Sequence, residues 1–344
     1  MKVIKSCVFV FAFVSLIDCD VPLSLASWSE SQEVSVSSVV DLVSTSQLQS
    51  VMTEMDLIRH VSISTDVELA DIAETLASRL SSHGLTTTRV PVTANYVSYW
   101  DPVGEVSYDV PGPHTMDNIV AVRPGTNPDL APILVTAHWD TIPISVGMND
   151  NASGCAGVIE TARVLQSATL ERTVIFVLFA FEEDEFVGSA AYVESMDATP
   201  KAVINLEQIG FTSPVQNALP FTDVLLEFPT VGDFIGIVAS NEAKNLGLAF
   251  ASIADAFVPE LPTYYIGADA TLQNNPLLTD FFRSDHISFW EREIPALMIT
   301  DTSFLREGNF YHQPEDTIDN IDFTFMTNVV RATVALVSIE AGIQ

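Results

Sequence analysis

The clearest periodic stretch of the chain is DVELADIAETLASRLSSHGL, residues 66–85. Val67, Leu69, Ile72, Leu76 and Leu80 recur close to a helical spacing, and Gly84 supplies a stop. Residues 35–85 as a whole read as helical. The pattern then shortens into strands at about 88–93, 118–123 (NIVAVR) and 132–138 (PILVTAH). A helix is expected at about 153–167. TVIFVLFAF, 173–181, is a continuous apolar run, which suits a strand covered on both faces. A helix at 187–196 leads to strand 202–206 (AVINL), and further helices are expected at 230–246 and near 279–290. Strand 295–300 (PALMIT) precedes a closing helix at about 322–340. Strands alternating with helices predict an α/β fold, a three-layer sandwich whose mixed, mainly parallel central sheet lies between helices.

Ligands in such sheets bind at the carboxyl ends of the strands, and here those ends are polar. Strand 132–138 ends in His138, with Asp140 two positions later on the same face. Either the strand surfaces there, or a metal-binding imidazole has its second N–H held by a carboxylate. GMNDNASG, 147–154, brings Asp150 to the same edge, unless Asp150 or Asn151 only caps the next helix. Asn151-Ala152-Ser153 matches a glycosylation acceptor, but its position beside a candidate ligand argues against a sugar there. FAFEEDEFVGS, 179–189, carries Glu182 and Glu183, which point apart in extended chain. One can bind a metal while the other addresses a water, the division of labour a hydrolytic zinc site needs. An acidic solvated turn is the other reading. NLEQIG contributes Glu207, SDHISF contributes Asp285 and His286, and FYHQPEDT contributes His312 with Asp316 nearby.

Composition narrows the function classes. Of 344 residues, 48% are hydrophobic and 17% charged, which excludes a largely disordered chain. A net charge of −31 argues against a nucleic-acid partner and suits a saline setting. The first residues read as a secretory signal: Lys2 and Lys5, then the apolar run Cys7–Ile17, then small residues before a cut after Ala26. That cut removes two lysines and two aspartates, so the charge balance survives it. The expectation is a secreted or periplasmic protein. Asp18 before Cys19 speaks against a lipoprotein anchor, and no later stretch reads as a transmembrane anchor. Only Cys155 then remains, packed in a helix, so stability rests on the core or on bound metal rather than on a disulfide.

In order along the chain, AHWDT, NDNASG, EEDEFVGS, NLEQIG, SDHISF and YHQPEDT resemble the secreted zinc aminopeptidases with co-catalytic metals, relatives of the glutamate carboxypeptidases. The resemblance covers roughly residues 60–340 and implies a phosphorylase/hydrolase-like zinc exopeptidase fold. It implies one catalytic domain over 27–344, with 27–60 readable as an N-terminal extension. It further implies that His138 and Glu207 bind one zinc, that Glu183 and His312 bind a second, and that Asp150 bridges them. Asp140 would orient the His138 imidazole, Glu182 would be the general base, and Asp285 and His286 would support the site. Two Zn²⁺ per chain are expected, with one as the alternative. The expected substrates are peptides with a free N-terminus. Two departures stand out. Glu207 occupies a place where the family usually has aspartate, one methylene shorter, and Glu185 stands where glycine is common. Rival readings within the same fold are a zinc glutaminyl-peptide cyclotransferase and a binding ectodomain without catalysis. Tyr311 before His312 resembles the peptidases more than the cyclases.

Overall fold

The computed structural model describes residues 29–101, 106–216, 229–268, 278–301, 303–305 and 310–344. The expected signal segment, 1–26, lies outside the described residues.

Eight strands form one sheet in the order β1-β2-β4-β3-β5-β8-β6-β7. They are β1 (Thr86–Asp101), β2 (Val106–Arg123), β3 (Ile133–His138), β4 (Val174–Phe179), β5 (Ala202–Leu206), β6 (Ile235–Ala239), β7 (Thr263–Gly267) and β8 (Ala296–Thr300). The four adjacent strands β4, β3, β5 and β8 are mutually parallel, so their carboxyl ends meet at one edge. Antiparallel pairs flank them: β1 with β2, β2 with β4, and β6 with β8. The sheet is therefore mixed with a parallel centre, as expected.

Alternate residues of the central strands face different layers. Ile133, Val135 and Ala137 join the main core, while Leu134 joins a smaller one with Phe179, Val193 and Phe289. The main core is covered by α1 (Glu30–Val40), α2 (Thr45–Glu54), α3 (Asp66–Ser82), α4 (Gly154–Leu165), α6 (Lys244–Phe257) and α8 (Phe323–Glu340). The smaller core is covered by α5 (Val187–Ser195) and α7 (His286–Trp290), where the Phe179 ring meets Tyr192 edge-on at 5.6 Å. α3 begins with a capping box, Thr65 with Glu68, and is followed by Gly84 at φ +75°. α4 lies close on β5 because Gly157 leaves room: a Cβ there would stand 2.8 Å from Leu206 Cδ1.

Three expectations need correction. The segment 230–246 is not a helix. Its centre is strand β6, buried on every residue, and α6 starts only at Lys244. IGIVA is a short apolar run of the kind that periodicity cannot tell from a buried helix. Strands 88–93 and 118–123 are fragments of two long antiparallel strands, Thr86–Asp101 and Val106–Arg123, and only Ile119–Arg123 of β2 pairs with β4. Pro91, Pro111 and Pro113 masked the strand pattern. Finally, α8 does have the length and apolar composition of a membrane span, but 61% of that window is buried inside the protein, against α1, α2, α4 and α6.

Candidate metal centre

The polar residues expected at the strand ends do converge. β3 delivers His138 to the parallel edge. The next residue, Trp139, is fully buried and donates its Nε1 to the Asp117 carbonyl at 2.9 Å, which fixes the chain's exit. Cys155 donates its Sγ–H to the His138 carbonyl at 2.9 Å, and burial pushes that thiol up to about 12. It is a packing residue. Gly147, at φ +55°, lets the loop fold back, since a Cβ there would lie 2.0 Å from the Asp150 carbonyl oxygen. Asp150 follows, with its N–H and that of Asn149 held by the Asp316 carboxylate at 3.0 and 2.7 Å.

Two triads result. His138, Asp150 and Glu207 form one, and Asp150, Glu183 and His312 form the other, with the donor atoms of each triad within 4.8 Å of one another. His138 Nε2 lies 3.3 Å from Asp150 Oδ1 and 3.4 Å from Glu207 Oε2. His312 Nε2 lies 3.3 Å from both Asp150 Oδ2 and Glu183 Oε2. Asp150 thus turns one oxygen to each side. The longer Glu207 side chain stays in the cluster because its carboxylate is held by Ser284 Oγ–H at 2.7 Å and Asn151 Nδ2–H at 3.3 Å. A relay stands behind it: Thr136 donates to Asn205, and Asn205 donates to Ser284, each at 2.8 Å.

Glu182 belongs to neither triad and lies 3.8 Å from His138 Nε2. Glu182 and Glu183 do point to different partners, though from a tight turn rather than an extended chain, with Phe181, Glu185 and Phe186 at positive φ. Glu185 adopts that backbone despite having a side chain. Gln208 and His312 are also at positive φ, so five of the six such non-glycine residues among those described adjoin the cluster. Strain concentrated this way marks functional sites.

Asp140 does more than expected. Its Oδ1 faces His138 Nδ1 at 3.5 Å, and its two oxygens accept the N–H groups of Glu182 and Glu183, each at 3.1 Å. One carboxylate therefore sets both the imidazole and the acidic turn. Asp285 is fully buried nearby, and burial pushes its carboxyl up to about 8. His286 turns away from the cluster. Its Nε2 meets the Phe281 carbonyl at 3.1 Å, and its ring packs edge-on against Trp290 at 4.5 Å.

The electrostatics ask for cations. Burial raises the Glu182 carboxyl well above the usual range, helped by the charges of Glu183, Glu207 and Asp285. Glu183 rises for the same first reason, with Asp150 adding to it. Burial disfavours charge on His312, yet Glu183 and Asp150 outweigh it and carry the imidazole up to about 10. Glu183 Oε1 is buried with no hydrogen-bond partner among the described residues. A buried oxygen without a donor, among acids that outnumber the imidazoles, fits a divalent cation in each triad. Mixed His and carboxylate donors suit zinc.

Two supports went unread in the sequence. Arg59 is fully buried and donates to five carbonyls: Trp139 at 2.5 Å, Met55 and Val146 at 2.6 Å, and Leu57 and Gly147 at 3.1 Å. It binds the segment before α3 to the loop between His138 and Asp150. Beside it, His60 Nε2 approaches Asp184 of the acidic turn at 3.7 Å. A lone Arg-His pair between the apolar residues Leu57, Ile58 and Val61 gives no pattern by which to find this. Asp316 also supports the site, and its place near His312 in the sequence does not signal that it holds the Asn149 and Asp150 N–H groups.

The family model for Peptidase family M28 matches residues 118–337. The chain belongs to peptidase family M28. This M28 chain is 33% identical over 254 residues to Uncharacterized protein YfbL of Escherichia coli (strain K12), covering 67% of the chain and 73% of that protein. It is 27% identical over 216 residues to Aminopeptidase YwaD of Bacillus subtilis (strain 168), covering 60% of the chain and 41% of that protein. The match thus spans less than half of that aminopeptidase. Among solved structures, BSAP, a zinc aminopeptidase from Bacillus subtilis, superposes with a TM-score of 0.68 at 14% identity, over 88% of this chain and 95% of that one. The glutaminyl cyclase of Porphyromonas gingivalis gives 0.62 at 18% identity, over 87% and 99%. These two likenesses show the fold. Family membership and the aminopeptidase relative support a hydrolase.

Proposed function

We propose that this M28 chain is a zinc-dependent aminopeptidase that removes N-terminal residues from peptides. The observation that carries the reading is a pair of donor triads sharing Asp150, with Glu182 left over beside them. His138, Asp150 and Glu207 would hold one zinc, and Asp150, Glu183 and His312 a second. Zinc in that place lowers the pKa of water and polarises a scissile carbonyl.

The chain's own residues supply the proton transfers. Glu182 takes a proton from the attacking water and returns it to the departing amine. Asp140 holds the turn that aims Glu182, through both backbone N–H groups.

Metal analysis of the purified protein, followed by a panel of aminoacyl anilides and a peptide with N-terminal glutamine, tests this. The expected result is chelator-sensitive release of aniline with zinc bound. Cyclisation of the glutamine peptide without anilide hydrolysis would replace the reading with a cyclotransferase. We also propose that the protein is exported, on the strength of the Lys2–Ala26 pattern. N-terminal sequencing of the mature chain checks it, and an intact Met1 start would contradict it.

A further inference from the structure

Three side chains of the loop that carries Asp150 face the segment that follows Glu207. Asn151 Oδ1 accepts the Gln208 N–H at 3.1 Å, Ser153 Oγ accepts the Ile209 N–H at 3.0 Å, and Asn149 Oδ1 accepts the Gly210 N–H at 2.9 Å. Alternate residues of one loop thus receive three consecutive N–H groups of the other segment. Asp150, between them, turns its oxygens to His138 and His312. The three side chains are buried. Their bonds fix how far Asp150 stands from Glu207, two candidate ligands far apart in the chain.

Asn149 reaches furthest. Its oxygen is committed to Gly210, so its Nδ2–H goes to Asp301 Oδ2, at 2.9 Å. The same Asp301 oxygen accepts the Phe211 N–H at 2.7 Å, and the Asp301 N–H donates to the Gln208 carbonyl at 2.7 Å. One carboxamide therefore joins the loop after β3, the chain after β5 and the end of β8. Gly210 permits the close approach, since a Cβ there would stand 2.9 Å from Asn149 Oδ1. Both bonds of the carboxamide go to the Glu207 side, and neither goes to the acidic turn that carries Glu183. The bond from the Asn149 backbone N–H to Asp316 does not depend on the side chain.

We propose that Asn149 is a positioning residue that sets the separation of Asp150 and Glu207, and with it the affinity of the metal position these two share with His138. It acts through those two carboxylates. The proposal rests on the reading of the two triads as zinc positions.

Zinc affinity is measured by competition with a coloured chelator in two backgrounds. In His312→Ala, the position of His138, Asp150 and Glu207 alone keeps its three donors. In Glu207→Ala, the position of Asp150, Glu183 and His312 alone keeps them. Asn149→Leu, which preserves the shape and removes both bonds, is added to each. Affinity should fall by about ten- to a hundredfold in the first background, the size of losing a group that supports a ligand. In the second it should stay within about twofold, the scatter of independent changes. The same contrast is expected of Asn149→Ala, which serves if Asn149→Leu does not fold. Equal losses in both backgrounds would show that Asn149 only supports the loop carrying Asp150, and no loss in either would show that its bonds set nothing. Either result overturns the proposal. Failure of both backgrounds to bind zinc with Asn149 in place is a separate result, which removes the zinc reading itself and this proposal with it.

Discussion

At the scale of single residues, the centre depends on which carboxylate binds and which stays free. Glu182 lies 3.8 Å from His138 Nε2 and belongs to neither triad. Glu182→Gln keeps its shape and removes the base. Zinc content and the unfolding temperature should stay unchanged while turnover falls by about 10²–10⁴-fold. Glu207→Asp tests the support behind a ligand. Shortening the side chain withdraws it from Ser284 and Asn151. Zinc affinity should fall by about ten- to a hundredfold, read by competition with a coloured chelator. An undiminished affinity would show that the relay from Thr136 to Ser284 holds nothing. His138, Asp150, Glu183, Glu207 and His312 were legible in sequence because strand ends and the loops after them carry ligands in parallel sheets. The second task of Asp140 was not, because it accepts backbone N–H groups that any residue type would offer.

At the scale of elements, the segment read as an N-terminal extension is built into the site. α2 packs on α4, and Arg59 links the segment after α2 to the loop that carries Asp150. Arg59→Met leaves buried carbonyls without donors, each costing about 1–3 kcal/mol. The variant should unfold several degrees lower and load less zinc, as measured by thermal scans with and without added metal. Equal stability with and without Arg59 would show that its bonds do not hold the loop between His138 and Asp150. Elements were legible where periodicity was long, as in α3, or where an apolar run was bounded, as in β4. Segment 230–246 failed for a physical reason: β6 is five residues long and buried on both faces, so no alternation survives to mark it.

At the scale of the molecule, charge and buried histidines set the response to solution conditions. A net charge of −31 repels itself, and salt screens it. The unfolding temperature should rise as sodium chloride is added at neutral pH. A flat or falling response would show that the charges are already neutralised in pairs. His60 and His286 are held neutral by burial, which lowers them to about 4 and about 3. Their unfolded forms take up a proton near 6.5, so below that pH the unfolded state binds more protons and the fold loses stability. The loss continues until the folded values are passed, at about 1.4 kcal/mol per pH unit for each group. His286→Gln should make this acid limb shallower by one proton in denaturant titrations between pH 4 and pH 6.5, a window that follows from those values. An unchanged slope would show that His286 is protonated in the folded chain.

The chain's order of apolar runs and polar ends determined the fold class and marked candidate donors at the strand ends, because a strand's burial and its carboxyl-end chemistry are both local properties of sequence, and the family resemblance sorted those candidates into an expected ligand set. Only the tertiary structure decided that Asp150 faces two ways, that Glu207 reaches far enough, and that Arg59 underpins the loop between His138 and Asp150. Those are distances between residues far apart in the chain, and packing sets them rather than pattern.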